Sequence, residues 1–264
     1  MGLLLFFGCT LISFGPVSSL FALFVCRNPI RQVLFFVATF FALLTVAIAS
    51  LLWFALSPLT QSTLYTLPVS VLLVEAGRLL SFHITGRVKE NFSSQLNESD
   101  LKLNSRHVIS LVFGVGFGFV SGFISMPVIL QQLTGPANFG LMSSHGQYFA
   151  VCSSALCMFF TLMNCWWNVV FFEALQLRNY TWAVAVVSLH MLASTATFFN
   201  KFELYYVSIP VVLGIFCVSL TWALRVAGVT KQSLYNTLTL ADAPMVSSSF
   251  RSQRSSNTPT TPHN

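Results

Sequence analysis

The stretch GVGFGFVSG, residues 114–122, places three glycines at four-residue intervals within a long apolar run. Residues four apart lie about 40° apart around an α-helix, so Gly114, Gly118 and Gly122 share one face. A glycine in a helix costs about 1 kcal/mol relative to alanine in water. In lipid, small residues at this spacing let two helix backbones approach closely. The stretch therefore predicts a membrane helix that packs tightly against a neighbour.

Ser121 and Ser125 flank the glycine face and are predicted to belong to the same helix-packing surface. A single GxxxG pattern also arises by chance, because glycine is common in membrane helices. Two overlapping copies, with serines beside them, favour a packing seam. The spacing leaves open whether the neighbouring helix belongs to this chain or to another protein.

The composition of the chain predicts a fold surrounded by lipid. Of its 264 residues, 55% are hydrophobic and 8% are charged, whereas a soluble domain has about 25% charged residues. Mean hydropathy is +0.75. The predicted fold class is an all-α polytopic membrane protein in contact with membrane lipid. The sequence has no dense basic patch with interleaved aromatics, so we expect no nucleic-acid partner.

Seven apolar segments are long enough to cross a bilayer, which takes about 20 residues. The predicted spans are 2–25, 32–56, 63–85, 107–130, 148–172, 180–200 and 205–228. They predict a seven-helix transmembrane domain over residues 1–230 and a cytosolic tail over residues 231–264. From about residue 241 the tail is rich in Ser, Thr, Pro and Asn, which predicts disorder.

The placement of Lys and Arg predicts the orientation, because these residues are enriched in cytosolic loops. Eleven of the thirteen lie after the first, third and fifth spans or around the carboxyl-terminal tail. The exceptions are Arg78, within the third span, and Lys201. The amino terminus is therefore predicted to be outside (lumenal or extracellular) and the carboxyl terminus cytosolic.

Glu75, Arg78, Asn164 and His190 lie within predicted spans, where an isolated charge is costly. Glu75 and Arg78 are three residues apart and so are neighbours on a helix. One interpretation is a structural set of buried polar contacts between helices. The other is a buried metal-hydrolase site, but catalytic zinc takes three good protein ligands and asparagine is a poor one. The sequence also lacks HExxH, so we predict no catalytic residue, metal or cofactor.

Six segments, taken in order, resemble the anterior-pharynx-defective family, which supplies one subunit of γ-secretase. They are MGLLLFFGCTLISFGP, AIASLLWF, VSVLLVEAGR, GVGFGFVSGFIS, WNVVFFEA with the following RNYTWA, and SLHMLASTATFFN. The resemblance runs from the first residue to about residue 230 and does not include the tail.

The resemblance implies seven spans with the amino end outside, and a non-catalytic scaffold for assembly. The implied partners are presenilin, nicastrin and the presenilin enhancer subunit. The implied activity of the complex is cleavage of type I membrane proteins such as Notch and amyloid precursor protein. The implied locations are the endoplasmic reticulum, Golgi, plasma membrane and endosomes.

The family motifs map onto individual residues of this chain. The tandem glycine motif of the family corresponds to Gly114, Gly118 and Gly122. Of the two intramembrane histidines in the family, the one on the sixth span corresponds to His190. The position on the fifth span is Asn164 here, which is a departure from the family. An amide still donates and accepts hydrogen bonds, but it further weakens a metal role.

Two other functions stay open. The family is distantly similar to membrane prenyl-protein peptidases, which leaves Glu75, Arg78 and His190 as candidate remnants of a metallopeptidase site. A small-solute transporter is the second alternative, although transporters commonly show internal repeats, and none is evident in this sequence.

The predicted orientation puts all three glycosylation sequons, at Asn91, Asn97 and Asn179, on the cytosolic side. We expect the protein to be unglycosylated there, so treatment with an endoglycosidase should leave its electrophoretic mobility unchanged. Gly140→Ser creates a sequon at Asn138, in a predicted outer loop, and is the positive control for glycosylation. A glycan at any of the three native sequons would mean that the orientation is inverted.

Overall fold

The computed structural model describes residues 2–56, 63–92, 106–134, 146–202 and 204–229. The α-helices in these ranges are α1 (Gly2–Leu20), α2 (Pro29–Leu56), α3 (Thr63–Phe92), α4 (Arg106–Ser125), α5 (Pro127–Thr134), α6 (Gly146–Gln176), α7 (Tyr180–Ala196) and α8 (Tyr205–Val226). A π-helical turn, Phe21–Val25, continues α1, and a 3₁₀ turn, Thr197–Phe202, continues α7. The tail beyond residue 229 lies outside the described residues.

Seven of the described helices are long and apolar enough to cross a membrane, which confirms the predicted number of spans. Large hydrophobic side chains cover much of the outer surface. Leu4 on α1 is 85% exposed and Phe54 on α2 is 81% exposed. Soluble monomers rarely expose an apolar surface this extensive, so lipid is the expected solvent around the helices. The chain is therefore a multi-pass membrane protein.

Helices α4 and α6 form the centre of the bundle. Within the membrane-spanning segments, 56% of α4 and 44% of α6 is buried, against 17–28% of the other five. Helix α4 packs against α6 and α2, and α6 also packs against α1, α7 and α8. Helix α3 packs against α2 and α7 on the outside of this centre. The residues up to Ala227 form one compact unit.

The helix that carries the glycine stretch ends earlier than the predicted span 107–130. Helix α4 stops at Ser125, and α5 begins at Pro127 after a bend at Met126. A proline has no backbone N–H and fits the first position of a helix better than its interior. The Met126 carbonyl accepts hydrogen bonds from Ile129 and Leu130, which starts the new helix. Met126 itself is fully buried, so the bend is anchored in the core.

Short turns join α1 to α2 and α6 to α7, and each has a local chemical basis. The Asn28 side chain accepts a hydrogen bond from the backbone N–H of Ile30 (2.9 Å), and Pro29 is the first residue of α2. This is the arrangement that favours a helix start.

Between α6 and α7, Arg178 adopts φ = 54°, and Asn179 N–H bonds to the carbonyl of Ala174 (2.8 Å). Local hydrogen bonds therefore fix both turns.

Candidate functional site

The three glycines of α4 lie against the backbone of α6. A β-carbon added to Gly118 would lie 2.3 Å from the carbonyl oxygen of Thr161, and one added to Gly114 would lie 2.6 Å from Cα of Cys165. At Gly122 the nearest atom would be Cγ2 of Thr161, at 2.7 Å. Real β-carbons essentially never approach other atoms this closely. The neighbouring helix thus belongs to the same chain, and only glycine fits at this α4–α6 seam.

The opposite side of α4 carries another close contact, which the four-residue spacing did not reveal. A β-carbon on Gly116 would lie 2.8 Å from Cβ of Ala38 and 3.2 Å from the backbone nitrogen of Thr39, both on α2. Glycines therefore let α4 approach a helix on each of two sides. The signal in the sequence was the small residue Ala38, which lies in the middle of a run of Phe and Val.

Glu75, Arg78, Asn164 and His190 come together in one hydrogen-bonded network within the bundle. Nη1 of Arg78 donates to both carboxylate oxygens of Glu75 (2.8 Å each), and Nη2 donates to Oδ1 of Asn164 (2.8 Å). Nδ1 of His190 is 2.6 Å from Oε1 of Glu75. The guanidinium carbon of Arg78 also lies 5.9 Å from the centre of the Phe171 ring. The network joins α3 to α6 and α7.

The charged and polar side chains of this network are buried. Arg78 is 0% exposed, and Glu75 and His190 are 5% and 7% exposed. A charge in the membrane interior is tolerated when a partner compensates it, and here one carboxylate compensates one guanidinium. Nε of Arg78 and Oδ1 of Asn168 lack a hydrogen-bond partner within the described part of the chain. Asn168 donates its amide to the backbone carbonyl of Asn164 (3.1 Å).

Trp167 links the network to the last helix. Its ring lies 4.7 Å from that of His190, at an interplanar angle of 32°, and its Nε1 donates to Oγ of Ser219 (2.9 Å) on α8. Trp167 is 0% exposed and Ser219 is 1% exposed. Side-chain contacts therefore run from α3 through α7 and α6 to α8. An indole nitrogen and a distant serine give no pairing signal in a sequence.

Ser121 and Ser125 do not lie in the α4–α6 seam. Ser125 is exposed, and its hydroxyl donates to the carbonyl oxygen of Ser121 (2.7 Å). Both serines line cavities beside α4. The three seam glycines and these two serines are on neighbouring but different faces of α4, because each residue step turns the helix by about 100°.

The end of the bundle that holds the start of α4 carries a separate ion pair. Nη2 of Arg106 is 2.8 Å from Oε1 of Glu173, and Nδ1 of His107 is 4.0 Å from the other carboxylate oxygen. Arg106 has a side chain 45% exposed and Glu173 one 9% exposed. An anionic side chain at the first turn of α4 also suits the helix dipole. This contact holds the start of α4 to the end of α6.

The described ranges contain no group of three or more side chains that could bind one metal ion together. No three His, Cys, Asp or Glu residues there are close enough to hold one ion. Both oxygens of Glu75 already accept hydrogen bonds from Arg78, and one of them is also bonded to His190. The chemistry that this arrangement supports best is interhelical hydrogen bonding.

Comparison with known proteins gives consistent matches over most of the chain. The family model described as Aph-1 protein matches residues 4–230. The Drosophila melanogaster protein named Gamma-secretase subunit Aph-1 is 32% identical over 234 residues, which cover 89% of this chain and 97% of that protein. Gamma-secretase subunit Aph-1b of Danio rerio is 31% identical over 261 residues (95% and 99%). Gamma-secretase subunit APH-1B of Homo sapiens is 28% identical over 238 residues (87% and 91%).

The α4–α6 seam predicts that even one added methyl group is harmful. Gly118→Ala places Cβ against the Thr161 carbonyl, so we expect a loss of about 1–3 kcal/mol of stability, the usual cost of overpacking. Thermal unfolding of the full chain in mild detergent measures the loss. Gly214→Ala on α8 is the matched control, because no atom lies within 4 Å of its added Cβ. Equal melting temperatures for the two variants would contradict the seam.

The buried network predicts a specific pattern of loss and recovery. Arg78→Met should destabilise the protein by about 3–5 kcal/mol, because it leaves the Glu75 carboxylate buried without its compensating charge. Adding Glu75→Gln removes that charge, so the double variant should recover a large part of the loss in the same melting assay. If the double variant is as unstable as the sum of both single variants, the two residues do not act as a compensating pair.

Proposed function

The chain belongs to the Aph-1 family, and from this we propose that it is a non-catalytic scaffold subunit of γ-secretase, an intramembrane protease complex. Its role is to assemble and stabilise the other subunits. The partners that we propose are presenilin, nicastrin and the presenilin enhancer subunit. The complex then cleaves type I membrane proteins such as Notch and amyloid precursor protein.

The observation that carries this proposal is that the buried polar side chains bond to one another between helices. Arg78 bonds to Glu75 and Asn164, and His190 bonds to Glu75, so these groups hold α3, α6 and α7 together. A catalytic carboxylate needs a free oxygen that can reach water, a metal or a substrate. The contacts of Glu75 instead support a structural role for this carboxylate. This role favours a scaffold over the metallopeptidase alternative.

The orientation and location of the chain are part of the proposal. We place the amino terminus outside and the carboxyl terminus in the cytosol, because of the distribution of Lys and Arg. In this orientation the Arg106–Glu173 pair lies at the cytosolic end of the bundle. The proposed locations are the endoplasmic reticulum, Golgi, plasma membrane and endosomes, along the route of a complex that matures through the secretory pathway.

A complementation experiment separates a scaffold from an enzyme. The full chain or a variant is expressed in cells that lack their own Aph-1 proteins, and γ-secretase is purified through nicastrin in mild detergent. Glu75→Gln removes the carboxylate but keeps a similar shape. If the chain is a scaffold, this variant lowers the amount of co-purified presenilin, while the activity per presenilin stays within about twofold of the unmodified complex.

Gly118→Leu provides the comparison for assembly. This variant should lower both presenilin yield and total protease activity, and the two should fall in proportion, because a larger side chain forces α4 and α6 apart. Assembly at full yield with Gly118→Leu would contradict the scaffold mechanism. A loss of activity per presenilin of a hundredfold or more in Glu75→Gln would show instead that Glu75 takes part in chemistry.

A further inference from the structure

A small cavity lies between α3, α4 and α6 at the end of the bundle that holds the Arg106–Glu173 ion pair. Its volume is about 150 Å³, and side chains from all three helices line it. The membrane-spanning segments that meet here end at Arg87 and Gln176 or begin at Arg106. The cavity therefore lies at the depth where the hydrocarbon core of the bilayer gives way to lipid headgroups. In the orientation proposed above, these headgroups belong to the cytosolic leaflet.

Glu173 has an unused hydrogen-bond acceptor at this cavity. Its Oε1 accepts a hydrogen bond from Arg106 (2.8 Å), whereas its Oε2 has no hydrogen-bond partner among the described residues. Nδ1 of His107 is 4.0 Å from Oε2, which is beyond hydrogen-bond range. The Glu173 side chain lines the cavity and is only 9% exposed. Because a buried carboxylate oxygen without a donor is costly, the cavity has to receive a donor, and a positively charged donor bonds most strongly.

The other side chains of the wall also suit a cation that donates hydrogen bonds. The hydroxyl groups of Thr85 and Ser110 line the cavity, and each donates its proton to a backbone carbonyl of its own helix (2.7 and 2.9 Å). Their oxygen lone pairs therefore stay available as acceptors. The rings of Phe82 and Phe172, whose centres are 5.4 Å apart, line the cavity as well. Aromatic rings attract cations, so the wall around Glu173 suits an ammonium group.

Arg106 adds the opposite charge at the rim of the cavity. Its side chain is 45% exposed, against 9% for Glu173, so the positive charge lies outside the negative one. A guanidinium has five N–H donors, and its remaining donors can bind a phosphate. Among the described residues, Arg106 and Glu173 are the only Asp, Glu, Lys or Arg side chains that line the cavity. One charge of each sign matches a ligand that also carries one of each.

We propose that this cavity binds the headgroup of phosphatidylethanolamine, with the ammonium group on Oε2 of Glu173 and the phosphate on Arg106. The ammonium group donates hydrogen bonds to the carboxylate and to the hydroxyl oxygens around it. A choline headgroup carries methyl groups in place of these N–H donors, so it cannot make the same bonds. The proposal is independent of the proposed function, because it concerns a membrane lipid and not the other subunits.

Native mass spectrometry of the full chain in mild detergent tests the proposal. The chain is mixed with equal amounts of phosphatidylethanolamine and phosphatidylcholine that have the same acyl chains, and the lipid retained on the protein is counted. We expect about tenfold more phosphatidylethanolamine, the effect of one hydrogen bond to a charged group. Equal retention of the two lipids would overturn the proposal, and so would a preference for phosphatidylglycerol, which lacks the ammonium group. Displacement by an equal concentration of free phosphoethanolamine would show a site for a soluble zwitterion and overturn the assignment to a lipid.

Three variants locate the retained lipid. Glu173→Gln keeps the shape of the side chain but removes its charge, so the preference for phosphatidylethanolamine should fall to about twofold or less. Thr85→Leu fills the cavity without changing the ion pair and should lower the retention of phosphatidylethanolamine as well. Arg225→Gln is the matched control, because it removes a positive charge in the last turn of α8, outside the cavity, and should leave the preference unchanged. Melting curves identify the folded variants. An unchanged preference in a folded Glu173→Gln or Thr85→Leu chain would overturn the proposal.

Discussion

The distance between α4 and α6 is the constraint on which the interior depends. The Thr161 carbonyl occupies the space that a side chain at position 118 would need, and Cys165 does the same at position 114. Asn164 lies on the same turns of α6, so the close approach also fixes where its amide meets Arg78. Lipid supplies no hydrophobic force between helices, and van der Waals contact must therefore hold them. The Arg78–Asn164 hydrogen bond (2.8 Å) therefore depends on the close approach of α4 and α6 as well as on α3.

The sequence allowed a different degree of prediction for each part of the structure. Apolar length is a local property, so the seven spans could be counted from the sequence alone. Glycine spacing defines one helix face, because the helical period is fixed, but it contains no information about the partner. For that reason α6 was not identifiable in advance, and Gly116 with its contact to α2 was missed. The bend at Met126 has a local signal in Pro127, which the apolar run through residue 130 obscured.

Pairs of polar residues show the same division between local and distant information. Glu75 and Arg78 are three residues apart, so a helix alone brings them together. Asn164 and His190 join them from 86 and 115 residues away in the sequence. Their location inside apolar segments predicted that each needs a partner, but no pattern specified which one. The placement of Ser121 and Ser125 beside the seam, and not in it, depended on the exact position of α6.

The buried ion network fixes the register of the helices, which apolar packing alone does not. Apolar helices in lipid can slide or rotate at small cost, because one apolar surface resembles another. Here α3 carries both the positive and the negative charge. The hydrogen bonds to Asn164 on α6 and His190 on α7 form only when these two helices are correctly positioned against α3. Removal of one member of a buried pair is far more costly than loss of one apolar contact. The bundle therefore reaches low energy in one register of α3, α6 and α7, and a fixed register gives a scaffold a defined outer surface.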